Sequence, residues 1–188
     1  MCIAKVKGFL LAPAQTFKKE AKSSFSDAFV YFLKIAVVFA VLFGVVAGFA
    51  VSFFPSSSAF NPVIFLTSAV TIYIFSIVGA LLSGLWIHLW AYIFGARKGI
   101  EQTFKAVFYG FTPLALFSWI PFIGIIFGIW SVILEIIGLK TLHGMSTGRA
   151  VAALVVPLVI VIGILLAAFA FLAFYFLSLG GFPPVSGY

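Results

Sequence analysis

Residues 35–96, IAVVFAVLFGVVAGFAVSFFPSSSAFNPVIFLTSAVTIYIFSIVGALLSGLWIHLWAYIFGA, contain no charged side chain. Only the Pro-Ser-Ser-Ser of residues 55–58 and the Asn-Pro of residues 61–62 interrupt this apolar stretch with turn-forming residues. A helix needs about 20 apolar residues to cross the hydrocarbon core of a bilayer. A formal charge there costs several kcal/mol, so this length of uncharged chain is typical of a membrane protein. The stretch predicts two spanning helices.

The charged residues of the whole chain are concentrated in three clusters. The 11 Lys and Arg residues and the 4 Asp and Glu residues all fall within residues 5–34, 97–105 and 135–149. With 64% hydrophobic and 8% charged residues, the chain has too few polar side chains to cover a soluble domain. The sequence therefore predicts one integral membrane domain.

The apolar runs predict five spanning helices. A single helix over residues 105–140 would be about 52 Å long, well beyond a core of about 30 Å, so we expect a turn at residues 118–121. We expect an all-α, polytopic fold whose transmembrane domain is residues 29–178, followed by a short external tail, 179–188. The predicted spans are residues 29–54, 62–94, 102–117, 121–139 and 148–177.

Residues 1–28 predict an amphipathic, basic segment that lies on the cytoplasmic membrane surface. Pro13 is acceptable in the first turn of a helix, and Phe17 would then face lipid. Ser26 or Asp27 is expected to cap the first span. A flexible basic tail is the alternative. The side chains expected to face water at the membrane surface are those of Lys18, Lys19 and Lys22.

The distribution of cations predicts the topology. With five spans, every Lys and Arg lies on the side of the N-terminus, which the positive-inside rule makes cytoplasmic, and the C-terminus is external. Four spans would instead place Lys140 and Arg149 outside. We expect a multi-pass protein of the cell membrane. The net charge of +7 is explained by cations beside the bilayer, so no nucleic-acid partner is expected.

Small residues recur at every fourth position of the predicted helices. Such faces let helices approach closely in lipid. Packing within the chain is one interpretation, and self-association into a homo-oligomer is the other. The small residues are Ala36, Ala40, Gly44, Gly48 and Ser52 on the first span, Ser76, Ala80 and Gly84 on the second, and Gly124 and Gly128 on the fourth.

Glu135 is the one acidic residue set among long apolar runs, and two interpretations of it remain open. In the structural one, its carboxylate reaches the interface or pairs with a cation, Lys105, Lys140 or Arg149. In the functional one, Glu135 forms an ion or proton site within the membrane together with His88 or His143. As isolated residues, the histidines are more typical of the membrane interface than of general bases.

The sequence predicts neither an enzyme nor a cofactor. A metal site needs three or four His, Cys or carboxylate ligands, and the chain has 2 His and 1 Cys. It contains no phosphate-binding GxxxxGK[ST] motif and no HExxH motif. Acyl-transfer chemistry would need a nucleophile beside a base, and we interpret the spacing of Ser131 with Glu135 or His143 as a coincidence.

Short motifs occur in a fixed order between residues 105 and 150. They are Lys-Ala at 105–106, Tyr-Gly-Phe-Thr-Pro at 109–113, Ile-Pro at 120–121, Trp130, Gly-Leu at 138–139, His-Gly-Met-Ser at 143–146 and Arg-Ala at 149–150. With Pro13 and Phe17, this order resembles the membrane domain of the Ypt-interacting protein (Yip) family. The resemblance implies five spans and a cytoplasmic N-terminus. It marks as family-motif or packing residues Tyr109, Gly110, Pro113, Pro121, Gly138 and His143.

The resemblance also implies a function. Eukaryotic members are expected to be scaffolds that bind Rab-type GTPases in vesicle trafficking. This sequence has no Asp-Leu-Tyr-Gly-Pro-like motif and is more similar to compact prokaryotic members. We therefore expect a non-enzymatic scaffold or membrane-organising protein that contacts the lipid bilayer and recruits a protein partner on its cytoplasmic face. The alternative is a small ion or solute transporter or channel that uses Glu135 and a helix bent at Pro113.

Overall fold

Eight α-helices form in residues 2–50, 59–120 and 122–178, the parts of the chain that a computed structural model describes. No strand occurs among these residues, so the predicted all-α, polytopic fold is confirmed. The helices are α1 (Cys2–Leu11), α2 (Pro13–Glu20), α3 (Phe25–Ala50), α4 (Pro62–Ile93), α5 (Ile100–Gly110), α6 (Thr112–Phe117), α7 (Ile123–His143) and α8 (Thr147–Ser178).

Four of these helices, α3, α4, α7 and α8, are long and apolar enough to cross a membrane. They correspond to the first, second, fourth and fifth predicted spans. The predicted third span, residues 102–117, is divided between α5 and α6, each too short to cross alone. The count of five crossings therefore stays a prediction. The predicted loop at residues 55–58, Pro121 and the tail 179–188 lie outside the described residues.

The helix starts follow local capping chemistry. Asn61 caps α4, since its side-chain oxygen accepts from the backbone N–H groups of Val63 (3.0 Å) and Ile64 (3.1 Å). The prediction that Ser26 or Asp27 caps the first span is wrong, because Ser24 is the cap of α3. Asp27 accepts from the Ser24 backbone N–H and hydroxyl, and the Ser24 hydroxyl accepts from the Asp27 N–H. This reciprocal pair fixes the start of α3 one turn before the predicted span.

The small-residue face of α3 packs within the chain, against an antiparallel α4. A Cβ added at Gly44 would lie 2.9 Å from the Ala69 Cβ, and one at Gly48 would lie 2.5 Å from the Phe60 ring. Residues this close leave no room for a side chain at either glycine. Ala36 and Ala40 on the same face are buried as well, while Ser52 lies outside the described residues. The intramolecular interpretation therefore accounts for this face.

The helices α5 and α6 run antiparallel to α7 and form a hairpin with it. The chain turns at residues 118–120, within the predicted turn. The contacts between the two arms run in opposite residue order, as expected for antiparallel helices. The contact pairs are Thr103 with His143, Ala106 with Gly138, Gly110 with Glu135, Leu114 with Ser131 and Phe117 with Phe127. The two halves of the broken segment therefore follow α7 along most of its length.

The chain divides into two packed units, residues 1–154 and residues 155–188. The first contains α1 to α7 and the beginning of α8. Of the second, residues 155–178 are described, and they form the rest of α8. Every side chain from residue 158 to residue 178 is exposed, and nearly all are apolar. A helix that is apolar on all its faces has the composition expected of a segment in contact with lipid.

Candidate functional site

The two N-terminal helices pack on the helical core through aromatic rings. Phe9 stacks on Tyr109 of α5 with ring centres 4.6 Å apart, and Phe17 meets Phe9 edge-on at 5.0 Å. Both phenylalanines are completely buried. The prediction that Phe17 faces lipid is therefore wrong. Its ring fits against Gly138 of α7, where an added Cβ would lie 3.0 Å from it, so the apolar side of α2 contacts protein.

Glu20, at the end of α2, is the centre of a polar cluster beside these rings. Its carboxylate accepts from the Lys5 ammonium at 2.7 Å and from the Tyr109 hydroxyl at 3.0 Å. Lys5–Glu20 is the one ion pair found among the described residues. One acidic side chain thereby joins α1, α2 and α5, and it gives the predicted motif residue Tyr109 a structural role.

Lys105 of α5 fixes the chain immediately after α2. Its ammonium donates to the carbonyl oxygens of Ala21 (3.0 Å) and Ser23 (2.8 Å), and its side chain is about as buried as any apolar core residue, at 1% exposure. A cation near the last carbonyls of a helix is favoured by their partial negative charge. The end of α2 and the linker that follows it are thus held to α5 at two points, by the Glu20–Tyr109 bond and by Lys105.

The break between α5 and α6 lies at the predicted bend. Pro113 has no backbone N–H, so it cannot donate to the Tyr109 carbonyl one turn earlier. The Thr112 hydroxyl donates to that carbonyl instead (2.7 Å) and accepts from the Tyr31 hydroxyl of α3 (2.9 Å). After the break, the Leu114 N–H donates to the Ser131 hydroxyl of α7 at 2.9 Å. Side chains therefore satisfy the backbone groups that the proline disturbs.

Gly110 and Gly138 are positions of close packing between α5 and α7. A Cβ at Gly138 would lie 2.8 Å from the Ala106 Cβ, and one at Gly110 would lie 2.5 Å from the Glu135 Cγ. The two glycines that the sequence marks as motif residues are thus contact positions of the hairpin. Pro121, the other motif residue of this region, lies outside the described residues.

Glu135 projects from α7 into a cavity between α3, α4 and α5. The cavity has a volume of about 460 Å³ and is lined mainly by apolar side chains, with Phe39, Phe43, Phe75 and Phe111 among them. Glu135 makes no ion pair or hydrogen bond with any described residue, so the expected pairing with Lys105, Lys140 or Arg149 is not present there. Its carboxylate is left facing the cavity.

His88 and His143 form a second polar group, separate from Glu135. The Thr103 hydroxyl lies 2.8 Å from Nδ1 of His88 and 3.0 Å from Nε2 of His143, and so bridges α4 and α7 through α5. A hydroxyl can donate to one ring and accept from the other. Thr103 and His143 are buried, so this group of side chains is part of the packing between helices and does not lie at an exposed membrane interface. Both histidines contact Thr103, and no hydrogen bond joins either of them to Glu135 among the described residues, so a site that combines Glu135 with a histidine stays a prediction.

The three lysines predicted to lie at the membrane surface are exposed. Lys18 and Lys19 occupy the last turn of α2, and Lys22 follows it. Because Phe17 and Glu20 of the same segment point inward, these lysines point away from the helical core. Most of the other cations are exposed too: Lys7, Lys34, Arg97, Lys98, Lys140 and Arg149.

Three of these polar residues were missed by sequence reasoning, namely Glu20, Thr103 and Thr112. Glu20 and Thr103 have an ordinary local sequence context, Thr112 lies in the 109–113 motif without being singled out, and the role of each depends on a partner from another helix. The single carboxylate among the lysines of α2 is the one signal that sets Glu20 apart. Among the described residues, no group of three His, Cys, Asp or Glu side chains could hold a metal ion.

Comparison with known proteins places this arrangement in a family. Residues 7–182 match the Yip1 domain, over nearly the whole chain. No curated protein and no solved structure gives a match. The match begins within α1 at residue 7 and includes Phe9, all of α2 and the α5–α7 hairpin with its glycine contacts. The chain is a multi-pass membrane protein that belongs to the Yip1 domain family.

Proposed function

We propose that this protein is a non-enzymatic membrane scaffold that recruits a protein partner to its basic cytoplasmic surface. Yip1 is a membrane-trafficking type of family, which supports a role in organising membrane rather than in chemistry. The observation that carries the proposal is that α2 is anchored by its inner side, while Lys18, Lys19 and the following Lys22 are exposed on the outer side.

The anchoring gives the basic surface a fixed position. Phe17 is buried against Gly138, and Glu20 is bonded to Tyr109, so α2 cannot rotate without losing both contacts. Lys18, Lys19 and Lys22 are therefore presented together. A partner that binds such a surface loses less conformational entropy than one that must first order a flexible tail.

The other exposed cations extend this surface. One end of the antiparallel helices brings together the starts of α3, α5 and α8 and the ends of α4 and α7. The connections at this end carry Arg97, Lys98 and, close by, Lys140 and Arg149. Near an anionic lipid surface each cation contributes about 1 kcal/mol of attraction. The positive charge at this end favours binding of anionic lipid headgroups and of an acidic surface on a partner protein.

Charge reversal tests the scaffold. We expect the triple variant Lys18→Glu, Lys19→Glu, Lys22→Glu to lose co-purifying proteins and anionic lipids, measured by mass spectrometry after extraction in mild detergent. The matched control is the triple Lys→Arg variant, which keeps the charge and should keep both. Because the three side chains are exposed, both variants should fold. Equal recovery of partners and lipids by the charge-reversed protein would contradict the proposal.

A small transporter is the second candidate, and the cavity beside Glu135 is the observation that favours it. The Pro113 break between α5 and α6 adds a discontinuous helix, a feature of many transporter binding sites. Flux of ions or solutes into proteoliposomes, lost in Glu135→Gln, is the result that this function requires. Absence of Glu135-dependent flux together with stable partner binding favours the scaffold.

A further inference from the structure

The cavity that Glu135 faces has a distinctive wall. Four phenylalanine rings, Phe39 and Phe43 from α3, Phe75 from α4 and Phe111 after α5, contribute to it. Gly79 of α4 lines it too, and a Cβ added there would meet no atom within 4 Å. The space beside Gly79 is therefore open. At about 460 Å³ the cavity is within the usual size of small-molecule sites, about 300–1,000 Å³.

Among the described residues that line this wall, Glu135 is the only one with an ionisable side chain. The two serines that also line the cavity use their hydroxyl hydrogens on their own helix: Ser76 donates to the Tyr73 carbonyl at 2.8 Å and Ser83 to the Ala80 carbonyl at 3.2 Å. Neither hydroxyl has a hydrogen left to donate to the carboxylate. The cavity thus combines one carboxylate without a described partner and an aromatic, aliphatic surround.

The cavity is located within the apolar part of the helices. Glu135 lies about 12 Å along α7 from His143, and Ser83 lies about 15 Å along α4 from Ile93, at about 1.5 Å per residue. A carboxylate at this depth is costly unless something compensates its charge, and intramembrane carboxylates commonly mark ligand sites. A ligand that reaches this site must itself be soluble in the bilayer.

We propose that the cavity binds a lipophilic organic cation, whose charged centre pairs with Glu135 while its apolar groups contact the phenylalanine rings. Charge complementarity selects a cation, and aromatic faces attract onium and ammonium centres. A metal ion such as Ca²⁺ would need six or more oxygen ligands, and the described side chains of the wall offer one carboxylate and two serine hydroxyls. This binding site does not depend on the scaffold function proposed above.

Two ions of the same shape and opposite charge provide the test. The purified protein is titrated in uncharged detergent with tetraphenylphosphonium and, separately, with tetraphenylborate, and binding is measured by equilibrium dialysis. We expect saturable binding of the cation only. In Glu135→Gln the affinity for the cation should fall by about tenfold or more, since the counter-charge is lost inside a poorly solvated site. Glu101→Gln, which removes an exposed carboxylate at the start of α5, should bind as the original protein does.

A second pair of variants tests the location independently of the charge. Gly79→Leu should fill the open space and abolish saturable binding of the cation, with Glu135 still present. Gly128→Leu is the matched control, because Gly128 also has no atom within 4 Å of an added Cβ but does not line the cavity. The proposal is overturned if both ions bind equally, if Glu135→Gln retains full affinity, or if folded Gly79→Leu binds the cation normally.

Discussion

At the scale of single residues, burial decides what a charged side chain does. Lys105 belongs by sequence to the second basic cluster, yet it is buried and bonded to two carbonyls of the α2–α3 linker. Lys22, a few residues from those carbonyls, is exposed. Of these two lysines, Lys105 holds two segments together and Lys22 is a surface charge, because only Lys105 lies beside buried carbonyl oxygens that accept its hydrogen bonds.

Replacing Lys105 by Met should destabilise the protein. The apolar volume is kept, but the Ala21 and Ser23 carbonyls lose their donor, which costs about 1–3 kcal/mol for buried polar groups left unsatisfied. The free energy of unfolding in detergent is the measurement. Lys22→Met is the control and should change it by less than about 0.5 kcal/mol, as exposed substitutions generally do. Equal stability of the two variants would show that the Lys105 bonds contribute nothing.

A methyl group at Gly138 should also be costly. The added Cβ would lie 2.8 Å from the Ala106 Cβ and 3.0 Å from the Phe17 ring, so α5, α7 and α2 would all have to shift. We expect Gly138→Ala to destabilise by about 1–3 kcal/mol, the usual range for overpacking. Gly128→Ala on the same helix has open space and should be neutral or stabilising by up to about 1 kcal/mol. Thermal unfolding of the two variants gives the comparison.

At the scale of helices, the division between α5 and α6 follows from one residue and its compensation. Pro113 frees the Tyr109 carbonyl, and the Thr112 hydroxyl satisfies it while also contacting Tyr31 of α3. The break is therefore tied to the neighbouring helices. A broken helix of this kind is stable inside a membrane protein only where other groups satisfy the freed backbone.

A double-mutant cycle tests this account. Thr112→Val should cost about 1–3 kcal/mol, because it leaves the buried Tyr109 carbonyl without a donor and removes the contact with Tyr31. In the Pro113→Ala background the cost should be smaller, since the backbone N–H of residue 113 can then donate to that carbonyl. The two costs are obtained from unfolding of the four proteins. Identical costs in both backgrounds would mean that Thr112 does not compensate for the proline.

At the scale of the whole molecule, the topology depends on whether α5 and α6 together complete a crossing. The pair runs beside α7 and turns at residues 118–120, so it reaches nearly as deep as α7 itself. If it crosses, the N-terminus and the C-terminus lie on opposite sides of the membrane. The positive-inside rule then makes the N-terminal side cytoplasmic.

Cysteine labelling distinguishes the two topologies. In a Cys2→Ser background, an impermeant maleimide is applied to right-side-out and inverted vesicles that contain Lys22→Cys or Ser186→Cys. We expect Ser186→Cys to react in right-side-out vesicles and Lys22→Cys in inverted ones. Detergent-opened vesicles, in which both should react, are the control. Reaction of both positions in the same kind of vesicle would contradict five crossings.

The parts of the fold that depend on local chemistry were predictable. The apolar runs predicted the four long helices, Asn61-Pro62 marked the start of α4, and Pro113 marked the break in the short segment. The aromatic side of α2 was predictable as apolar but not as buried. Lipid and a protein core both favour apolar side chains, so the identity of residue 17 as Phe does not show which of the two it contacts.

The sequence by itself determined that the chain is helical, enters a membrane and carries its cations in three clusters, because charge and hydropathy act on each segment separately. Only the tertiary structure decided which polar residues meet. It joined Glu20 to Tyr109 and Lys105 to the α2–α3 linker, it brought both histidines to Thr103, and it placed Glu135 on the cavity wall. These outcomes depend on which faces of different helices pack together, and that is a property of the whole chain.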